Sequence, residues 1–140
     1  LAGRLSWCVG DAEALPLASS TADFVTIAFG LRNVTDRQAA LCEAYRILKP
    51  GGRFLCLEFS HVQNRPFAKL YDAFSFNLLP VIGQVIAGDA ASYRYLVESI
   101  RQFPSKEVLA DMFAAAGFAQ IRVRSLSAGI ACIHSGWKLD

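Results

Sequence analysis

Apolar residues along the chain fall into two patterns, short continuous runs and stripes spaced three or four apart, and the two alternate. Ser6-Trp7-Cys8-Val9 is short, apolar and ends at Gly10-Asp11, so it reads as a buried strand running into a turn. Phe24 to Phe29 is a nearly continuous apolar run, the kind found in parallel sheets covered on both faces. Thr35-Asp36-Arg37-Gln38 has the form of a capping box, in which the Thr35 hydroxyl and the Gln38 amide satisfy two orphan backbone donors. The helix it opens places Leu41, Ala44, Tyr45 and Leu48 on one face and stops at Lys49-Pro50-Gly51-Gly52. Arg53 to Phe59 is again a buried strand, so strand, helix and strand make a βαβ unit of an α/β fold.

Beyond Phe59 the helical period dominates. Phe67, Leu70, Tyr71, Phe74 and Leu78 form an apolar stripe on a helix ending near Pro80. A second helix is predicted over Ala91 to Ile100, rich in aromatics through Tyr93 and Tyr95. A third runs from Ser105 as N-cap to Ala116, with Gly117 as its left-handed stop. Its stripe of Val108, Leu109, Met112, Phe113 and Ala116 reads as core. Ile121 to Ser125 alternates and turns at Ser127-Ala128-Gly129 into Ile130 to His134, an antiparallel hairpin at the sheet edge. No repeat, linker or low-complexity segment interrupts the 140 residues, which read as one domain.

Composition narrows the function. A hydrophobic fraction of 54% and a mean hydropathy of +0.32 point to apolar surface kept for a ligand, a partner or a membrane. A net charge of +2, with the basic residues dispersed, gives no reason to expect nucleic acid. Cys8, Cys42, Cys56 and Cys132 show no C-x-x-C spacing and lie in or beside apolar segments, which favours buried free thiols over disulfides. The most apolar stretch, Phe67 to Ala87, is broken by Lys69, Asp72, Asn77, Pro80 and Gln84, so surface insertion or a greasy pocket is preferred to a membrane span. No signal peptide is visible, and a cytoplasmic location is expected.

Several chemistries drop out. His61 and His134 have no carboxylate or cysteine at metal-ligand spacing, so no metal is assigned, and neither a G-x-S-x-G elbow nor a Walker A loop occurs. What remains is a set of strand-end loops carrying Asp11, Glu13, Arg32, Asn33, Glu58 and Ser60. These share one edge of the sheet if their strands are parallel, and ligands of open α/β sheets bind at such an edge. Arg32 and Asn33, between Phe29 and Asp36, are the central candidates. On local sequence alone, a turn-forming Asn33 and a solvated Arg32 are equal alternatives. Asp11 reads either as an acceptor for an adenine amino group or ribose hydroxyl, or as an Asx turn. Glu58 reads as a structural ion pair or loop anchor in preference to a catalytic base.

Several stretches carry a resemblance. Gly10-Asp11-Ala12-Glu13-Ala14-Leu15-Pro16, Phe29 to Asp36, Arg46 to Gly52 running on to Ser60, and Asp89 to Leu96, with His134 to Lys138 closing, resemble the ubiquinone/menaquinone biosynthesis C-methyltransferases within the class I S-adenosylmethionine-dependent methyltransferases. The resemblance implies a Rossmann-like sheet and methyl transfer from S-adenosylmethionine to a ring carbon of a polyprenylated benzoquinol or naphthoquinol. It implies that Asp11 and Ala12 contact the adenine and that Ala28 and Phe29 lie beside the cofactor, although family members often carry Ser at the position of Ala28. Arg32 and Asn33 would face the quinol as catalytic residues, with Phe67, Leu70, Tyr71 and Phe74 as the substrate pocket. Peripheral contact with the inner membrane surface, a homodimer or a quinone-synthesis complex would follow from such a substrate. The family's Gly-rich loop and the acid after its second strand would lie upstream of Leu1 and are expected to be missing. The chain is therefore expected to be the carboxyl-terminal half or more of a catalytic domain, with weak hold on S-adenosylmethionine and with Ser6–Val9 re-paired or loose. Another small apolar acceptor, or a non-catalytic place in a quinone-synthesis assembly, are the alternatives.

Overall fold

The computed structural model describes residues 5–61 and 90–140. The predicted stripe through Phe67, Leu70, Tyr71 and Phe74 lies outside the described residues, as does the apolar stretch weighed as a membrane span. The described elements are β1 (Ala22–Ala28), α1 (Arg37–Ile47), β2 (Leu48–Phe59), α2 (Ala90–Arg101), α3 (Lys106–Ala115), β3 (Ala119–Leu126) and β4 (Ala131–Trp137). They form a sheet of order β1-β2-β4-β3, in which β1 and β2 are parallel and β4 runs antiparallel to both of its neighbours.

The starts of α1 and α3 are each capped by a side chain. Asp36, not Thr35, caps α1, its carboxylate accepting the Ala39 N–H at 2.9 Å. Gln38 is not the reciprocal member of a capping box, because its amide reaches across to the Met112 carbonyl at 3.2 Å. Ser105 caps α3 as expected, accepting the Val108 N–H at 3.3 Å. Gly117 follows α3 at φ +102°. Leu48 leaves the helical region at ψ 139° and begins β2 directly. The Lys49-Pro50-Gly51-Gly52 turn is thereby drawn into the strand as an irregularity in the β1 pairing, where the register passes from Ala22 opposite Leu48 to Phe24 opposite Arg53.

The core lies where α1 and α3 meet one face of the sheet. Ala40, Leu41, Ala44 and Ile47 of α1 are buried, as are Leu109 and Phe113 of α3. Phe54, Phe113 and Phe118 pack ring against ring at centroid distances of 5.2 to 5.4 Å. Val108, expected in this stripe, is 50% exposed, one residue off the buried face of α3.

The amino-terminal side differs most from expectation. Ser6–Val9 forms no strand: nothing among the described residues pairs with it, and Trp7 and Val9 are almost wholly exposed. Among the described residues, β1 lies at the edge of the sheet and is covered on one face. Its Val25 and Ile27 pack on the core while Phe24 stays 66% exposed. The thiols split in the same way, Cys56 and Cys132 buried and Cys8 and Cys42 exposed, all four free.

Candidate functional site

Parallel pairing of β1 with β2 brings the Phe29–Asn33 turn and the Glu58–Ser60 strand end to one edge of the sheet. Phe29 leaves β1 at φ +53°, a left-handed conformation that costs a non-glycine residue energy and recurs at functional turns. Leu31, fully buried, pins the single 3-10 turn Leu31–Asn33 to the core. Its neighbours thus sit on a fixed backbone, Arg32 folded against Glu58 and Asn33 exposed.

Arg32 and Glu58 are the centre of the site. The Glu58 carboxylate, 1% exposed, accepts the Arg32 Nη1 donor at 3.2 Å, the Arg32 backbone N–H at 3.2 Å and its neighbour's Phe59 N–H at 3.0 Å. Arg32 Nη1 also donates to the Phe29 carbonyl, and the guanidinium lies 5.6 Å from the Phe59 ring centroid. Phe29 and Phe59 pack at 4.7 Å. The ion pair expected of Glu58 is therefore present. After these contacts Arg32 Nε remains a buried donor with no partner among the described residues. Arg37 donates Nη2 to the Arg32 carbonyl at 3.3 Å and lies over Phe103 at 5.5 Å.

The Asp11 loop joins the same edge through side chains. Glu13 Oε1 accepts the Asp36 N–H at 2.8 Å, and Glu43 Oε2 accepts the Leu15 N–H at 2.8 Å. Arg46 clamps the loop further at the carbonyls of Leu15 and Leu17. Its hydrogen bond to Glu43 holds that carboxyl below the usual range. Asp11 makes the Asx turn, Oδ1 accepting the Glu13 N–H at 2.9 Å, yet its carboxylate is exposed with acceptor capacity left. Glu13, read earlier only as one of the strand-end group, is the residue that ties the two loops together. Ala12 borders an apolar cavity of ≈150 Å³ with Leu15, Val25, Ile27, Leu31 and Phe54. Ala28 and Phe29 are exposed at the end of β1.

Two contacts escaped sequence reading. Tyr95 of α2 donates its hydroxyl to Asn33 Oδ1 at 3.1 Å across a separation of 62 residues, and Arg37 braces the turn from the start of α1. An aromatic residue in an amphipathic helix signals packing before it signals contact with a site, so only the tertiary fold reveals the first.

Loops gathered at one strand-end edge are where open α/β sheets bind ligands. The fold matches a solved SAM-dependent methyltransferase of Thermotoga maritima, described as a possible histamine N-methyltransferase, with TM-score 0.66 and 24% identity over 92% of this chain and 61% of that one. It also matches the structure titled PigF with SAH, with TM-score 0.57 and 20% identity over 93% of this chain and 38% of that one. At those identities the likeness concerns the fold. Residues 2–138 match the model of the ubiE/COQ5 methyltransferase family, and the chain belongs to that family. Among its relatives are the ubiquinone/menaquinone biosynthesis C-methyltransferase UbiE of Cereibacter sphaeroides, 58% identical over 99% of this chain and 56% of that protein. The human mitochondrial 2-methoxy-6-polyprenyl-1,4-benzoquinol methylase is 58% identical over 96% of this chain and 41% of its own length. The chain thus spans about half the length of the curated relatives it matches.

Proposed function

We propose that these residues serve a C-methyltransferase that moves the methyl group of S-adenosylmethionine to a ring carbon of a prenylated quinol in quinone biosynthesis. The observation that carries this reading is the family match over residues 2–138, which takes in the Arg32–Asn33 turn. S-adenosylmethionine supplies an electrophilic sulfonium methyl. On transfer to the ring carbon the methyl would leave as the sulfur keeps the electron pair of the broken carbon–sulfur bond, S-adenosylhomocysteine would depart, and the ring carbon's proton would pass to solvent water.

The chain's own part is to bind, align and raise the nucleophilicity of the ring. Asp11 is assigned to the adenine amino group and Ala12 to the adenine edge, with the apolar cavity beside them and Ala28 and Phe29 flanking the cofactor. The described residues suit the adenine end of the cofactor. Arg32 cannot act as a base at neutral pH, because a guanidinium stays protonated. Its guanidinium, oriented at the strand-end edge by Glu58, is assigned to stabilise a phenolate or to orient the water that takes the phenol proton. Asn33 supplies a second donor to the same oxygen. Phe67, Leu70, Tyr71 and Phe74 are assigned to the prenyl tail, and contact with the inner membrane surface and self-association follow as part of this proposal.

In the complete protein, Arg32→Ala should lower turnover of a prenylated quinol by about 100-fold or more while S-adenosylmethionine still binds. Wild-type turnover left intact by that change would remove Arg32 from the chemistry. Equal rates on acceptors with and without a prenyl tail would favour a different small acceptor.

A further inference from the structure

We infer that Tyr95 is a positioning residue for Asn33, its hydroxyl holding the amide so that the NH2 end is presented to the acceptor's ring oxygen. The inference rests on the methyltransferase reading above. Asn33's backbone is fixed without help: its N–H bonds the Gly30 carbonyl at 3.0 Å, and the next N–H, of Val34, bonds the Leu31 carbonyl at 3.2 Å. Those bonds leave both side-chain torsions free. An exposed asparagine side chain on such a turn would sample several rotamers and both amide orientations.

The Tyr95 contact restricts the side-chain rotamer and, with the hydroxyl donating, favours one amide orientation. A primary amide has one accepting end and one donating end, and the tyrosine engages the accepting end at 3.1 Å. Nδ2, with its two hydrogens, is left for another partner. That is the useful orientation beside Arg32, because a ring hydroxyl losing its proton gathers negative charge and needs donors. The reversed amide would aim carbonyl lone pairs at that charge. The tyrosine comes from a helix that is itself packed, with Val97 and Ser99 buried and Phe103 in the core just beyond it. Tyr95 is 56% exposed, so its hydroxyl bond adds little to stability. Orientation is the role such a contact can fill.

The test compares wild type, Tyr95→Phe, Asn33→Ala and the double variant in the complete protein, with S-adenosylmethionine and a prenylated quinol lacking the methyl group. Freed to sample rotamers and amide flips, Asn33 should be productive in only a fraction of molecules. Tyr95→Phe should therefore lower kcat by roughly 3- to 10-fold. The quinol KM and the thermal midpoint should hold. In the Asn33→Ala background the tyrosine change should have no further effect, and in Tyr95→Phe the Asn33 side-chain amide resonances should shift and broaden. An equal loss of kcat in both backgrounds would overturn the inference, as would Asn33 amide resonances that do not move. A wild-type protein that methylates no quinol would defeat the methyltransferase reading separately. The amide resonances, which need no turnover, would still decide whether Tyr95 holds Asn33.

Discussion

Arg32 is held from three sides, by a buried carboxylate, by the carbonyl of Phe29 and by the Phe59 ring, so its guanidinium is delivered in one orientation. Much of that depends on Glu58. Removing it by Glu58→Ala would strand a largely buried cation and two backbone N–H donors, and breaking a buried pair from one side typically costs about 3 kcal/mol. Urea unfolding of the complete protein should show a lower midpoint at unchanged slope; a midpoint that stays put would mean Arg32 finds another partner. A carboxylate inside the apolar run Phe54 to Phe59 announces from sequence alone that it needs a partner. Which partner is not legible, because Arg32 lies 26 residues away and becomes its neighbour only through the parallel pairing.

Elements were most readable where local chemistry decides. Ser105 and Gly117 bracket α3 through bonds and backbone angles that belong to their own neighbourhoods. The start of α1 misled because Thr35 and Asp36 are both good caps, and the choice between them was made elsewhere: Gln38, the would-be partner, is engaged by the Met112 carbonyl of α3. Gly117→Ala tests the far end of α3. The backbone there lies at φ +102°, and an added Cβ would sit 3.0 Å from the Tyr45 ring. Together these should cost about 1 to 2 kcal/mol. Part of the loss should return in a Tyr45→Ala background, and no return would assign the whole cost to the backbone.

Across the whole molecule, the sequence pattern distinguishes strand from helix but not which strand lies at an edge. Phe24 and Trp7 are apolar enough for an interior and yet exposed, because no described element covers them. His134 shows a related coupling of place and chemistry. Burial holds its imidazole below the ordinary histidine value, although its bond to the Lys106 carbonyl, 2.9 Å from Nε2, pulls the other way. The unfolded chain therefore takes up the proton first as pH falls. Stability should be full above about pH 6.5 and decline below it until the native imidazole also protonates. Unfolding measured at pH 7.5 and 5.5 should show the decline, and a decline undiminished in His134→Gln would put its origin elsewhere. The order of the strands carries a last consequence, for synthesis on the ribosome. β4 follows β3 in the chain yet lies between β3 and β2. At about 5–20 residues per second, the stretch separating the end of β2 from β4 takes on the order of several seconds to emerge. Throughout that interval β2 has, among the described residues, no partner on that edge, since β3 is made only near its end and pairs with β4 rather than with β2, and the nascent chain is then most open to capture by a chaperone or by another unfinished copy of itself.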